Sequence, residues 1–461
     1  ESTVNSRQQE KPNFKPYFLW WRTVVRRPLT RKIMNPNTFE YSESFAREMD
    51  AKDKLANFRT RFHFPKVEGK EAIYFCGNSL GLQPKSVKDY LGKELSNWAD
   101  LAVDGHFHGE DAWYHIRKKS KPALAEILGA QEHEVVAMNN LSVNLHLLMV
   151  SFYRPTKERY KIIVEAGAFP SDQYMLETQI KFHGLEPENV LIELSPRPGE
   201  HTLRTEDILA EIRKHGDSLA MVNMAGIQYY TGQLFDLKAI TAAAHEVGAV
   251  AGFDLAHAAG NAVLKLHDWE VDFATWCSYK YLNSGPGNVS GIFVHERYAE
   301  RPDLPRFAGW WGHDEGERFR MEKGFVPMHG ADGWQLANSN VLALAAHQAS
   351  LDIFQEAGME NLRAKSERLT AYLEFLIEHI SGNSGVLEII TPKNPAERGC
   401  QLSLLIHRGG KAVFDEFYKH GVVGDWRNPN VIRLAPTPLY NSYLDVFRFA
   451  TILEQSLEKF A

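Results

Sequence analysis

From about Ala72 to Glu296, short runs rich in Val, Ile and aromatic residues alternate with longer segments of helical period. A chain with that rhythm buries itself most readily around a mostly parallel sheet covered by helices. The pattern predicts seven strands, at Glu134–Met138, Lys161–Glu165, Val190–Leu194, Ala220–Met224, Ala249–Asp254, Phe273–Cys277 and Gly291–His295. Helical periodicity marks Asn144–Phe152, Asp172–His183, Thr205–Lys214 and Leu237–Val247. A further helical stretch runs from Leu336 to about His379, and Gly382–Gly385 reads as a turn. Beyond it, strand-like Leu387–Ile390, Cys400–Ile406 and Val431–Leu434, with a helix Lys411–His420 and a terminal helix, predict a smaller α+β domain. The expected division is a large α/β domain over 76–335 and a small C-terminal domain over 336–461, with an N-terminal segment, 34–75, packing on the small domain.

With 461 residues, 44% of them hydrophobic, the chain can bury more than one core. Its net charge of -6 gives no electrostatic reason to bind nucleic acid, which needs a basic surface. The three cysteines, Cys76, Cys277 and Cys400, show neither CxxC spacing nor a neighbouring His cluster, so no metal site or disulfide framework is expected. A reducing, cytoplasmic setting and no membrane partner are the matching expectations, since no apolar run approaches the roughly 18–20 residues that span a bilayer. Residues 1–33 differ from the rest, with eight Lys or Arg around Phe18-Leu19-Trp20-Trp21. They read as a basic extension, disordered or foreign to the fold, and contribute nothing to the fold argument.

The chemistry concentrates at two strand ends. Asp254 closes one predicted strand in Phe253-Asp254-Leu255-Ala256-His257, and Lys280 follows the next, 26 residues on, in Cys277-Ser278-Tyr279-Lys280-Tyr281. Ligands of open parallel sheets sit at the carboxyl ends of strands, so both side chains are expected at one crevice. A lysine there suits Schiff-base chemistry, and an Asp against a pyridinium nitrogen keeps it protonated, an opposite charge shifting a pKa by about 1–3 pH units. Singly, a strand-end Asp is more often a helix cap and a Lys a solvated charge, but together in Gly-rich, apolar surroundings they favour a cofactor site. Met138-Asn139-Asn140-Leu141-Ser142 joins a strand to a helix with Ser142 at its start, a place for a phosphate, although Ser is also a routine cap. Phe169, in Ala168-Phe169-Pro170-Ser171-Asp172, could stack on an aromatic cofactor; alone it reads as core, and Ser171 or Asp172 as a cap.

These residues resemble the fold-type I pyridoxal 5′-phosphate enzymes and, among them, the kynureninase family, from about Glu71 to Tyr443. The resemblance is carried in order by Gly77-Asn78-Ser79-Leu80-Gly81-Leu82-Gln83-Pro84, Leu141-Ser142-Val143-Asn144-Leu145-His146, Phe169-Pro170-Ser171-Asp172, Phe253–His257, Cys277–Asn283 and Arg427-Asn428-Pro429-Asn430. It implies that Lys280 would hold the cofactor covalently and shuttle the α-proton, that Asp254 would pair with the ring nitrogen, and that His257 would support Asp254. Leu141, Ser142 and Tyr279 would hold the phosphate and Phe169 would stack on the ring, with Pro170, Ser171 and Asp172 in the same site. Tyr279 is also the candidate proton relay. Arg433 would grip the substrate's α-carboxylate, a task that suits the planar guanidinium fork. His106, Asn338 and Ser79 would face the substrate, and Trp310 and Asn338 would reach the cofactor from a partner subunit, which implies a homodimer with shared active sites.

The implied reaction is hydrolytic Cβ–Cγ cleavage of L-kynurenine or 3-hydroxy-L-kynurenine. Two departures from the family are visible, Ala225 and Ala337, each where it carries a serine, and the choice between the two substrates stays open. The alternatives are a cysteine desulfurase or class V aminotransferase-like enzyme, or a non-catalytic cofactor-binding protein. A desulfurase needs a mobile nucleophilic Cys, whereas Cys76 and Cys277 lie in apolar, strand-like contexts. A mere binder would not need Arg433.

Overall fold

The computed structural model describes residues 39–382 and 384–461, so the basic extension expected over 1–33 lies outside the described residues. Seven strands form the main sheet: β1 (Val135–Ala137), β2 (Lys161–Glu165), β3 (Leu191–Leu194), β4 (Leu219–Ala225), β5 (Val250–Asp254), β6 (Phe273–Trp276) and β7 (Gly291–Val294). All seven fall where the sequence rhythm put them. Their spatial order is β1-β7-β6-β5-β4-β2-β3. The run from β6 to β3 is parallel, and β7 is antiparallel to both its neighbours. Side chains alternate between two cores, as period-2 geometry requires. In β2, Ile163 joins the core shared with Ile208, Ile240 and Phe354, while Ile162 and Val164 join the opposite core with Leu145, Leu148 and Ile180. Both faces are covered, which explains why these strands read as continuous apolar runs.

The helices that position the site are α1 (Leu141–Phe152) and α2 (Pro170–Phe182). Asn140 caps α1, its side chain accepting from Val143 N at 3.2 Å. The expectation that the helix opens at Ser142 is therefore corrected: Asn140 sits one residue before the first helical turn and takes the cap, and Ser142 is the second helical residue. In α2, Pro170 occupies the first turn, where its missing N–H leaves no bond unmade.

The stretch expected as one helix after Leu336 is two, α3 (Val341–Ala357) and α4 (Met359–Ser381), broken at Gly358 with φ 74°. A four-stranded antiparallel sheet follows, in the order β8-β9-β11-β10, from β8 (Leu387–Ile389), β9 (Leu402–Ile406), β10 (Asp425–Arg427) and β11 (Val431–Leu434). Its core holds Tyr372 and Leu376 of α4 with Phe417, Phe449 and Leu453, and it also takes in Phe39, Ala46, Ile73 and Phe75. The first core extends through α3 to Leu362.

Candidate active site

Four neighbouring strands, β6, β5, β4 and β2, end at one cavity of about 180 Å³. Glu165 closes β2, Ala225 closes β4 and Asp254 closes β5, with Ala225 and Asp254 directly paired. The loop after β6 brings Cys277, Tyr279 and Lys280, and the openings of α1 and α2 bring Leu141, Ser142, Phe169, Ser171 and Asp172. Ile227, Tyr229, Ala256 and His257 complete the wall. The strand-end logic thus places Asp254 and Lys280 in the same crevice.

Lys280 is 9% exposed, and its Nζ lies 3.2 Å from His257 Nε2 and 5.6 Å from the centre of the Phe169 ring. Its loop is held from behind by Gly81, whose N–H donates to Tyr279 O at 2.9 Å. A Cβ at Gly81 would fall 2.3 Å from Lys280 O, so only glycine allows this approach. The segment Gly77–Pro84 therefore supports the lysine loop through its backbone.

Three carboxyl groups are buried in the wall. Asp254 Oδ1 accepts from Ala256 N at 2.7 Å, and Asp254 shares a hydrogen bond with Asp172. Burial, then the negative charge of Asp254, pushes the Asp172 carboxyl far above its usual value, so the shared proton belongs on Asp172. Burial raises Asp254 as well, but the bond from Asp172, the charge of Lys280 and the Ala256 amide oppose the rise. Glu165, 2% exposed, accepts a bifurcated bond from Ala225 N at 3.3 Å, and burial pushes it up to about 8. His257 is held well below its usual value by burial and then by the charges of Lys280, Arg433 and Arg427, and is neutral.

Arg433, 1% exposed, stands behind Tyr229, whose carbonyl accepts from Nη1 at 2.8 Å. The remaining residues expected from the sequence do not line this cavity. Trp310 and Asn338 are exposed, as is Ser79, and His106 packs edge-on against Trp113 at 5.3 Å. Pro170 contributes backbone geometry. Glu165 and Tyr229 escaped the sequence reading. Glu165 carried the same signal as Asp254, an acid ending a predicted strand, whereas Tyr229 lies in a loop without periodicity.

The chain matches the class-V aminotransferase family model over residues 73–405. It also resembles solved structures of cysteine desulfurases in fold. That of CsdA from Escherichia coli superposes with a TM-score of 0.71 at 16% identity, covering 88% of this chain and 99% of that one. That from Thermococcus onnurineus superposes with a TM-score of 0.69 at 17% identity, covering 84% and 95%. The chain is a class-V aminotransferase-fold enzyme, a fold-type I protein that works with pyridoxal 5′-phosphate. Residues 362–453 match the family model of the kynureninase C-terminal domain. Kynureninase of Flavobacterium johnsoniae is 55% identical over 91% of this chain and 99% of its own length, and kynureninase of Nematostella vectensis is 48% identical over 93% and 97%. Within its class, the chain belongs to the kynureninase family.

The cavity fits that cofactor. The amides of Leu141 and Ser142 open α1 where a helix offers no internal acceptor, and the helix dipole favours an anion there. Asp254, otherwise served by one amide and the Asp172 proton, suits a protonated ring nitrogen. His257 Nδ1 and Ser278 Oγ are buried and without a partner among the described residues.

Proposed function

We infer that the chain is a kynureninase, which hydrolyses the Cβ–Cγ bond of L-kynurenine or 3-hydroxy-L-kynurenine to L-alanine and anthranilate or 3-hydroxyanthranilate, in tryptophan catabolism and NAD biosynthesis. The observation that carries the reading is Lys280 Nζ buried beside His257 at the ends of the strands that present Asp254, in a chain related along nine-tenths of its length to kynureninases.

When bound, pyridoxal 5′-phosphate supplies an electron sink for charge that develops on the carbons of the amino acid. The amides of Leu141 and Ser142 and the Ser142 hydroxyl would hold the phosphate, and Phe169 would cover the ring. Asp254 stays anionic because Asp172 carries the shared proton, and so it would keep the ring nitrogen protonated. Lys280 would be the covalent anchor for the cofactor and the base that takes the substrate's α-proton. Neutral His257, with Nε2 3.2 Å from Lys280 Nζ, fixes where the amine stands. Burial raises the Tyr279 hydroxyl above its usual value, so it stays protonated and can donate to the substrate's carbonyl side. Arg433 binds the α-carboxylate.

The assembly we propose is a homodimer with shared active sites. Support comes from an exposed aromatic patch, in which Phe107, 55% exposed, and Trp310 both pack on Phe319. Exposed clusters of this kind mark protein interfaces, and His106 adjoins the patch. Trp310, Asn338 and His106 would then serve a neighbouring subunit's cavity. We also propose the division into a large domain over 76–335 and a small one over 336–461, and a cytoplasmic setting suited to three free thiols. Among the described residues no helix is long and apolar enough to cross a membrane.

A desulfurase reading finds no support in the thiols. Burial pushes Cys76 up to about 11 and Cys400 up to about 12 and also raises Cys277, so none offers a ready thiolate. The deciding experiment mixes cofactor-loaded protein with L-kynurenine and, separately, 3-hydroxy-L-kynurenine, and follows the fluorescent anthranilates. Release from either substrate is expected. A yellow, loaded protein that releases neither would overturn the assignment.

A further inference from the structure

Arg433 is not a free fork waiting for a ligand. On the antiparallel pair β10–β11 it lies directly opposite Asp425, and Arg427, two residues beyond Asp425, projects on the same face. Arg433 Nε donates to Asp425 Oδ1 at 3.1 Å, and Nη2 lies 2.7 Å from Oδ2. Arg427 approaches the same carboxylate from the other side, with Nη2 donating to Oδ2 at 3.2 Å and Nε 2.9 Å from Oδ1. The two guanidinium carbons lie 5.9 and 5.8 Å from the centre of the Tyr229 ring, which lines the Lys280 cavity.

A guanidinium has five N–H donors. In Arg433, Asp425 engages one on Nε and one on Nη2, and Tyr229 O engages one on Nη1. One N–H is left on each Nη nitrogen, enough donors for both oxygens of a carboxylate. Two arginines and one aspartate leave a single net positive charge, matched to a single α-carboxylate.

We propose that Asp425 is a positioning residue for substrate recognition: by bridging Arg433 and Arg427 it fixes the plane of the Arg433 guanidinium and sets the charge of the clamp for an amino acid with one carboxylate beside its amino group. The inference rests on the reading of Arg433 as the carboxylate clamp. Without Asp425 the pair gains net positive charge, which attracts anions, but the guanidinium loses its orientation. A fork turned out of plane loses one of its two charge-assisted bonds to the carboxylate, worth about 10- to 100-fold in binding, so the loss of orientation dominates.

The test uses holoenzyme variants Asp425→Asn, Asp425→Glu, Arg427→Gln and Arg433→Ala, with cofactor absorbance recorded for each. Asp425→Asn should raise KM for L-kynurenine about 10- to 100-fold, with a smaller effect on kcat. Asp425→Glu should recover part of the loss, and Arg427→Gln, which leaves the Arg433–Asp425 pair, should raise KM less. The amine that corresponds to kynurenine without its α-carboxylate should inhibit wild type and Asp425→Asn equally. An unchanged KM in Asp425→Asn, or an equal loss for the amine, overturns the proposal. If Asp425→Asn does not hold cofactor, unchanged KM values in both Asp425→Glu and Arg427→Gln overturn it. Unchanged KM in Arg433→Ala refutes the clamp itself, whereas loss there with Asp425→Asn unaffected refutes only the role of Asp425.

Discussion

Glu165 and Asp254 end parallel strands in the same cavity, yet only Asp254 has a lysine charge to oppose its burial. Glu165 rises from an ordinary value near 4.5 to about 8 in the folded chain. A folded-state value above the unfolded one gives stability that is complete below about pH 4.5 and is lost as pH rises through about 8. The loss is about 1.4 kcal/mol for each pH unit crossed between the two values, on the order of 5 kcal/mol in all. Thermal denaturation of cofactor-free protein from pH 5 to 9 should therefore show wild type weakening relative to Glu165→Gln, and parallel curves would refute the buried, protonated acid. At Lys280 the expectation is chemical. Lys280→Ala should lose at least about 10²–10⁴-fold in turnover. Borohydride should fix cofactor to wild type but leave it dialysable from the variant. Asp254 and Lys280 were legible because both follow apolar strands. Glu165 carried the same signal, but a charged strand end reads equally well as solvated surface until its neighbours are known.

Element by element, the strands were more legible than the helix ends. A strand buried on both faces writes itself as an apolar run, and β2 was read to the residue. The start of α1 was not, because Asn140 and Ser142 are both good caps and only the backbone decides which precedes the first turn. The difference separates two substitutions. Asn140→Ala should destabilise the fold by about 1 kcal/mol in denaturant melts. Ser142→Ala should leave stability alone and weaken cofactor binding by about 1 kcal/mol, roughly fivefold in Kd by absorbance titration. Reversal of these two effects would return the cap to Ser142. The pairing of Asp425 with Arg433 had no signature in the sequence either, because it depends on the β10–β11 register.

The whole molecule raises the question of where Trp310, Asn338 and His106 act, since none of them lines the Lys280 cavity of its own chain. If a second copy brings them in, two inactive variants can repair each other. Lys280→Ala and Asn338→Ala proteins, mixed after gentle dissociation, should regain activity through hybrids that hold one complete site. A mixture that stays as inactive as its parts, or a protein that sediments as a monomer, would sink the shared site. Local periodicity in the sequence determined the α/β class, the positions of the seven strands and the two residues that announce the cofactor, because a strand's burial and a strand end's chemistry are written within a few neighbouring residues. Tertiary structure alone decided which strand ends become neighbours, that three buried carboxyls share one cavity, and that Asp425 occupies one edge of Arg433. Those facts depend on strand order, register and burial, and residues as distant as Glu165 and Lys280 meet only after the sheet has closed.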